Sequence, residues 1–201
     1  MSYNKAYHSY FEGYTEKEEF DPVHQKFYIK RTYAGCYYRH NMTDEELKAL
    51  KIRYILYLAV YIAAMFIQGV SAGTGVWYMA IPTALQLIDI LWLTFYVVCY
   101  VRAPRLLKIR QYRDREHLKV AAMAGVLCLV WLCAGQLIFM ILNGFYVYGF
   151  LAMAADAAAA VCLRLLYVSE RDMDFRKVKN DAYIDPDSVD IRRRSDLDDA
   201  E

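Results

Sequence analysis

The chain has 201 residues, enough for one domain, with 58% hydrophobic residues and a formal net charge of +1. Its charges are segregated: Asp89 is the only charged residue from Tyr54 to Val101, and Asp156 and Arg164 are the only ones from Val120 to Val168. A soluble domain keeps a solvated, charged face on each helix, so this distribution excludes an ordinary soluble fold.

The N-terminal segment, 1–43, is polar and Tyr-rich, and it lacks the pattern of a secretory signal peptide. Tyr3, Tyr7, Tyr10 and Tyr14 follow steps of four, three and four, which would place their rings on one helical face, although Gly13 weakens such a helix. The stripe is expected to lie on the membrane interface, dock on a basic loop or bind a partner. Phe27 to Tyr38 mixes aromatic and basic residues and is compatible with a short hairpin or coil. Beside a membrane such a mixture suits lipid headgroups rather than nucleic acid. Thr43-Asp44-Glu45-Glu46 has the form of a capping box, so a helix is expected to start at Asp44 and run into the first apolar stretch.

Four runs reach the roughly 20 apolar residues needed to cross the hydrocarbon core: 54–72, 77–101, 120–142 and 145–168. They predict an all-α, polytopic four-helix transmembrane bundle over 44–168, built from two helical hairpins. The hairpins turn at Gly73-Thr74-Gly75 and near Asn143-Gly144. The turns contain no Lys or Arg, whereas the connection between the second and third spans carries Arg102, Arg105, Lys108, Arg110, Arg113, Arg115 and Lys119. The positive-inside rule then places both termini in the cytoplasm, with a plasma (inner) membrane as the default location. Arg102 to Arg115 are the candidate contacts for anionic lipid headgroups or a partner. Tyr54, Trp77, Tyr78, Tyr100, Tyr146, Tyr148 and Tyr167 lie near span ends and read as interfacial belts. The segment 169–201 is polar and mixed in charge, with the composition of a disordered tail.

The hairpins share a pattern. Asp89 and Asp156 are 67 residues apart, and Gln68 and Gln136 are 68 apart, so each hairpin carries Gln near the end of its first helix and Asp in its second. An internal duplication would make them a parallel repeat. An ionised Asp at mid-membrane costs about 2.5–3.5 kcal/mol on insertion scales. Protonation, hydrogen bonds, water or a cation must offset that cost. Asp89 and Asp156, with Gln86, Gln136 and Gln68, are therefore the candidate ion or proton site. Thr83, Thr94 and Asn143 add hydroxyl and amide groups to a small polar cavity opening outward, and Pro82 would free a carbonyl one turn earlier. Arg164 is expected to snorkel to the headgroups, and the Ala-rich stretch around Asp156 to pack closely against a partner helix or a second copy.

Catalytic and metal signatures do not emerge. His8, His24, His40 and His117 lie outside the apolar runs, and no nucleophile elbow, phosphate-binding loop or His-Glu-x-x-His pattern occurs. The five cysteines lack metal-site or disulfide spacing. The composition predicts no cofactor and no enzyme. Two functions follow: a non-enzymatic membrane subunit or scaffold whose cytoplasmic segments engage partners, or a minimal proton- or cation-coupled transporter using Asp89 and Asp156, either as a homodimer or with another membrane subunit.

Overall fold

The computed structural model describes residues 13–22, 24–71 and 75–178. Tyr3, Tyr7 and Tyr10, most of the first predicted turn and the predicted tail from residue 179 lie outside these residues; the first ten residues of that tail, 169–178, are instead ordered, in the end of a helix and in a short strand. The described residues divide into two compact units, one formed by residues from 13–39, 106–110 and 176–178, the other by residues from 40–71, 75–105 and 111–175.

The second unit is a bundle of four helices: α1 (Asp44–Gly69), α2 (Trp77–Arg102), α3 (Ile109–Asn143) and α4 (Val147–Arg171). With 25 to 35 residues each, they measure about 38–52 Å at 1.5 Å per residue, longer than a hydrocarbon core of about 30 Å. All four are long and apolar enough to cross a membrane. The capping box at the start of α1 forms: Glu46 N–H donates to Thr43 Oγ1 at 3.3 Å, and Thr43 N–H donates to Glu46 Oε2 at 2.8 Å. Gly144 opens the α3–α4 turn with φ +93°, a left-handed conformation that favours glycine. The end where α1 and α3 finish and α2 and α4 start is the hairpin end of the bundle, and the opposite end is its base.

Helix α1 packs along α4 and α2. Its inward residues include Leu50, Tyr54, Leu58, Tyr61 and Ala64, recurring every three or four positions. Large apolar side chains such as Phe66, Leu91, Phe95, Leu127 and Leu142 point outward and are exposed. In water such a surface would aggregate; in lipid it is the expected solvent face.

In the first unit, β1 (Tyr14–Asp21) and β2 (Lys26–Tyr33) form an antiparallel hairpin in which Tyr14 pairs with Tyr33 and Phe20 with Phe27. A second sheet has the order β4-β3-β5, from Leu106–Leu107, Tyr37–His40 and Phe175–Val178. Tyr14, the described end of the predicted helical Tyr stripe, is therefore in a strand. Its alternation with Glu16, Glu18 and Phe20 fits a period of two as well as the Tyr spacing fitted 3.6. Lys108 Nζ donates to Tyr14 Oη at 2.8 Å and lies over the rings of Tyr14 and Tyr33, while the Ile109 N–H donates to Tyr33 Oη at 3.0 Å. Of the expected modes for this aromatic segment, docking on the basic linker is the one seen at Tyr14.

The predicted basic loop is much shorter than its composition suggested. Helix α3 begins at Ile109, so Arg110, Arg113, Arg115 and Lys119 are helical. Arg115 corrects the expectation of a solvated headgroup contact: it is buried, because a carboxylate from α4 neutralises it, as described below. Arg105 is held by Asp44 Oδ1 at 2.8 Å and the Met42 carbonyl at 2.7 Å. Arg102, Arg110 and Arg113 are exposed. Tyr54 and Tyr100 also leave the predicted interfacial belt, since both are buried in the bundle.

Candidate functional site

A series of buried polar side chains runs through the bundle from its hairpin end to its middle. At the hairpin end, Ser71 Oγ donates to Gln136 Oε1 at 2.9 Å, and Gln136 Nε2 donates to the Tyr146 hydroxyl at 2.5 Å. Gln68, the penultimate residue of α1, is buried, and both of its side-chain amide atoms lack a protein hydrogen-bond partner. Deeper, Gln86 of α2 and Asp156 of α4 are each nine residues from the start of their helices and fully buried. Both amide atoms of Gln86 and both carboxyl oxygens of Asp156 lack protein partners. The large majority of buried side-chain polar atoms are hydrogen-bonded, so this concentration in one bundle is itself a signal.

Asp89 lies one turn below Gln86, with 12 residues before it in α2 and 13 after. It is 5% exposed, and its Oδ2 accepts a hydrogen bond from the Tyr61 hydroxyl at 3.0 Å, while Oδ1 lacks a partner. Tyr61 also stands within electrostatic reach of Asp156, as does Cys133. Gly125 of α3 makes the room: a Cβ there would fall 2.7 Å from Asp89 Oδ2 and 2.6 Å from Leu163 Cδ1. Gly125→Ala is expected to cost about 1–3 kcal/mol through overpacking and to displace the Asp89–Tyr61 pair. Unfolding in detergent checks the first effect; a variant as stable as the parent would show that Leu163 yields freely.

Toward the base the polar series stops. Leu58, Leu93, Val97, Leu163 and Leu166 are buried in one apolar cluster between Tyr61 and the next polar group, Tyr54. That separation is about 10 Å along α1. This apolar layer separates the site from the polar cluster at the base.

Sequence reasoning placed Asp89, Asp156, Gln86, Gln68 and Gln136 in the interior, and the structure brings them there from three helices and the end of α1. It spreads them along the bundle rather than into one cluster: Gln136 is 11 residues beyond Gly125 in α3, about 16 Å from the Asp89 level. Asp156 is not centred in its helix, because α4 starts at Val147 and runs on to Arg171, leaving 9 residues before it and 15 after. Thr83, Thr94 and Asn143 do not line the column. Each donates to a carbonyl four residues back in its own helix, at 2.7, 2.6 and 3.0 Å. Arg164 does not meet Asp156; it lies against Met123 Sδ and the Tyr167 ring.

A second polar cluster sits at the base. Arg115 Nε donates to Glu170 Oε2 at 2.7 Å and its Nη2 to the Glu170 carbonyl at 3.0 Å. The Tyr54 hydroxyl donates to Glu170 Oε1 at 2.7 Å. The Arg115 guanidinium lies 3.8 Å from the centre of the Phe175 ring. Glu170 and Tyr61 were missed by sequence reasoning. Tyr61 follows Tyr54 by seven residues, a same-face spacing that could have flagged it; no local pattern joins Arg115 to a carboxylate 55 residues away.

His40 borders this cluster, its ring against Phe175 and Tyr100. Burial, then the charges of Arg115, Lys51 and Arg105, lower its pKa from 6.5 to about 4. The folded state binds this proton less readily than the unfolded chain. The resulting stability is complete above the unfolded pKa and is lost as pH falls through the folded one. Between neutral pH and pH near 4 the parent is expected to lose roughly 2–3 kcal/mol more than His40→Phe does. Equal losses in paired melts would contradict this assignment.

Neither a protein-family model nor a curated protein nor a solved structure matches the chain. The functional reading therefore rests on the polar column itself.

Proposed function

We propose that this is a non-enzymatic membrane protein that binds a proton or small cation at Asp89 and Asp156 and couples it to movement across the bilayer. The observation that carries the reading is the set of buried, partnerless polar atoms on Gln68, Gln86, Asp89 and Asp156. Interhelical hydrogen bonds in lipid contribute only about 0.6 kcal/mol each, so structural glue does not need two carboxyls, least of all one with no protein partner. A proton or cation would satisfy these atoms, and the apolar layer toward the base would close that side of the site, one of the two barriers that alternating access requires. In this reading the termini are cytoplasmic, the membrane is the plasma (inner) membrane, and the column faces outward.

The test is protein in liposomes with an internal pH indicator, given proton, sodium and potassium gradients in turn. Protein-dependent proton movement under at least one gradient is expected; none under any gradient sinks the proposal. Reporters fused at Gly75 and Asn143 test the orientation, and activity of a cytoplasm-only reporter at either turn would reverse it.

A second reading, a subunit of a larger membrane assembly, is favoured by one feature. Ala154, Ala157 and Ala158 form a small-residue face on α4 that is exposed, the kind of surface along which helices approach closely in lipid. Purification in gentle detergent tests it: a defined partner or dimer should travel with the protein.

A further inference from the structure

The geometry points to a second binding site, on the lipid-facing side of α3 and α4 near the base, for one anionic phospholipid. A groove of about 470 Å³ is lined by Glu116, Lys119, Val120, Met123, Leu127 and Tyr167. That volume is in the range of small-molecule sites. Its chemistry is graded along α3. Glu116 and Lys119 stand at the base end, and Val120, Met123 and Leu127 continue toward the membrane middle. From Lys119 to Leu127 is about 12 Å, close to half of a hydrocarbon core of about 30 Å. A lipid of the leaflet on the base side has the same polarity gradient and the same length: headgroup at the base, acyl chain toward the middle.

Two cations mark the headgroup position. Lys119 Nζ is held by Glu116 Oε1 at 2.6 Å and remains partly exposed, keeping further donors for a phosphate. Arg164 of α4 does not line the groove but contacts two side chains that do, one Nη on Met123 Sδ at 3.6 Å and its guanidinium 5.1 Å from the Tyr167 ring centre. A sulfur contact uses one donor of a five-donor group. Two cations against one carboxylate leave a net positive rim, which favours a headgroup with net negative charge over a zwitterionic one. The exposed Arg102, Arg110 and Arg113 are not part of this groove. The site is independent of Asp89 and Asp156.

Native mass spectrometry of the full chain, offered phosphatidylglycerol and phosphatidylcholine of equal chain length, tests the proposal. The parent should retain phosphatidylglycerol preferentially. Lys119→Gln and Arg164→Gln should each weaken that preference about fivefold, whereas Arg110→Gln/Arg113→Gln should leave it intact. Should the Lys119 and Arg164 variants fail to fold, Leu127→Trp decides: by filling the groove it should lower retention of phosphatidylglycerol with every basic residue present. Excess glycerol phosphate should not displace the lipid. An unchanged preference in the Lys119 and Arg164 variants, an equal loss in the Arg110/Arg113 variant, unchanged retention in Leu127→Trp, or displacement by the soluble phosphate would each overturn it.

Discussion

Replacing both Asp89 and Asp156 by Asn is expected to leave the bundle folded and to reduce gradient-driven proton movement to that of protein-free liposomes. Asn keeps the shape of Asp and its hydrogen-bonding capacity but cannot titrate. The Tyr61 hydroxyl can still donate to the residue at 89, so the helix contact made at Asp89 Oδ2 survives. At 156 no protein hydrogen bond is lost, because neither oxygen has a protein partner. Removing the capacity to ionise in a low-dielectric interior should also leave the unfolding free energy unchanged or raise it, by up to about 3 kcal/mol for each site. Structural glue predicts the opposite pattern, a small loss of stability and no change in transport. Paired flux and unfolding measurements on the same preparations separate the two. Full proton movement in the double variant would end the coupling proposal.

The second large effect is at the base. Arg115→Met is expected to destabilise the protein by about 3–5 kcal/mol, the cost of leaving one member of a buried ion pair alone. Glu170 would remain fully buried with the Tyr54 hydroxyl but without its cation. A double replacement, Arg115→Met/Glu170→Leu, should recover much of that loss, since two apolar side chains leave no uncompensated charge. Chemical unfolding of the two single variants and the double variant gives the coupling between the positions. Additive losses, with no recovery in the double variant, would show that each side chain acts through other contacts. This cluster joins α3, α4 and α1 through Arg115, Glu170 and Tyr54, so its loss should loosen the base as a whole.

The helices were readable because the membrane imposes a simple rule: a span must be long, apolar and internally hydrogen-bonded. The absence of charge from Tyr54 to Val101, apart from Asp89, was sufficient to place α2 and most of α1. The start of α1 was readable because Thr43 and Glu46 interact locally. Helix α3 was harder. Its first ten residues are mostly polar and carry no span signal, yet they continue the same helix. Composition reports where lipid begins, not where a helix does. The hairpin around Tyr14 and Tyr33 was ambiguous because aromatic residues at short spacing fit two periods, and pairing between strands decided it.

The candidate site divides in the same way. An Asp in an apolar run is conspicuous by its insertion cost, so Asp89 and Asp156 could be named from sequence alone. Their surroundings depend on helix rotation and on contacts between distant segments. The seven-residue spacing from Tyr54 puts Tyr61 on the inward face but does not say that it meets Asp89, and nothing marks Gly125 as the residue that gives Asp89 its space. Thr83 and Thr94 looked available until the structure showed each bonded within its own helix. Arg115 looked solvated because its partner, Glu170, arrives from another helix.

The most direct test of the proton site is difference infrared spectroscopy of the protein in lipid, reading the stretch of protonated carboxyl groups as the pH is stepped. A site at Asp89 and Asp156 requires a pH-dependent band that falls in part in each single Asn variant and vanishes in the double variant. A band that survives undiminished in the double variant, or a parent with no pH-dependent band while it remains folded, would contradict it.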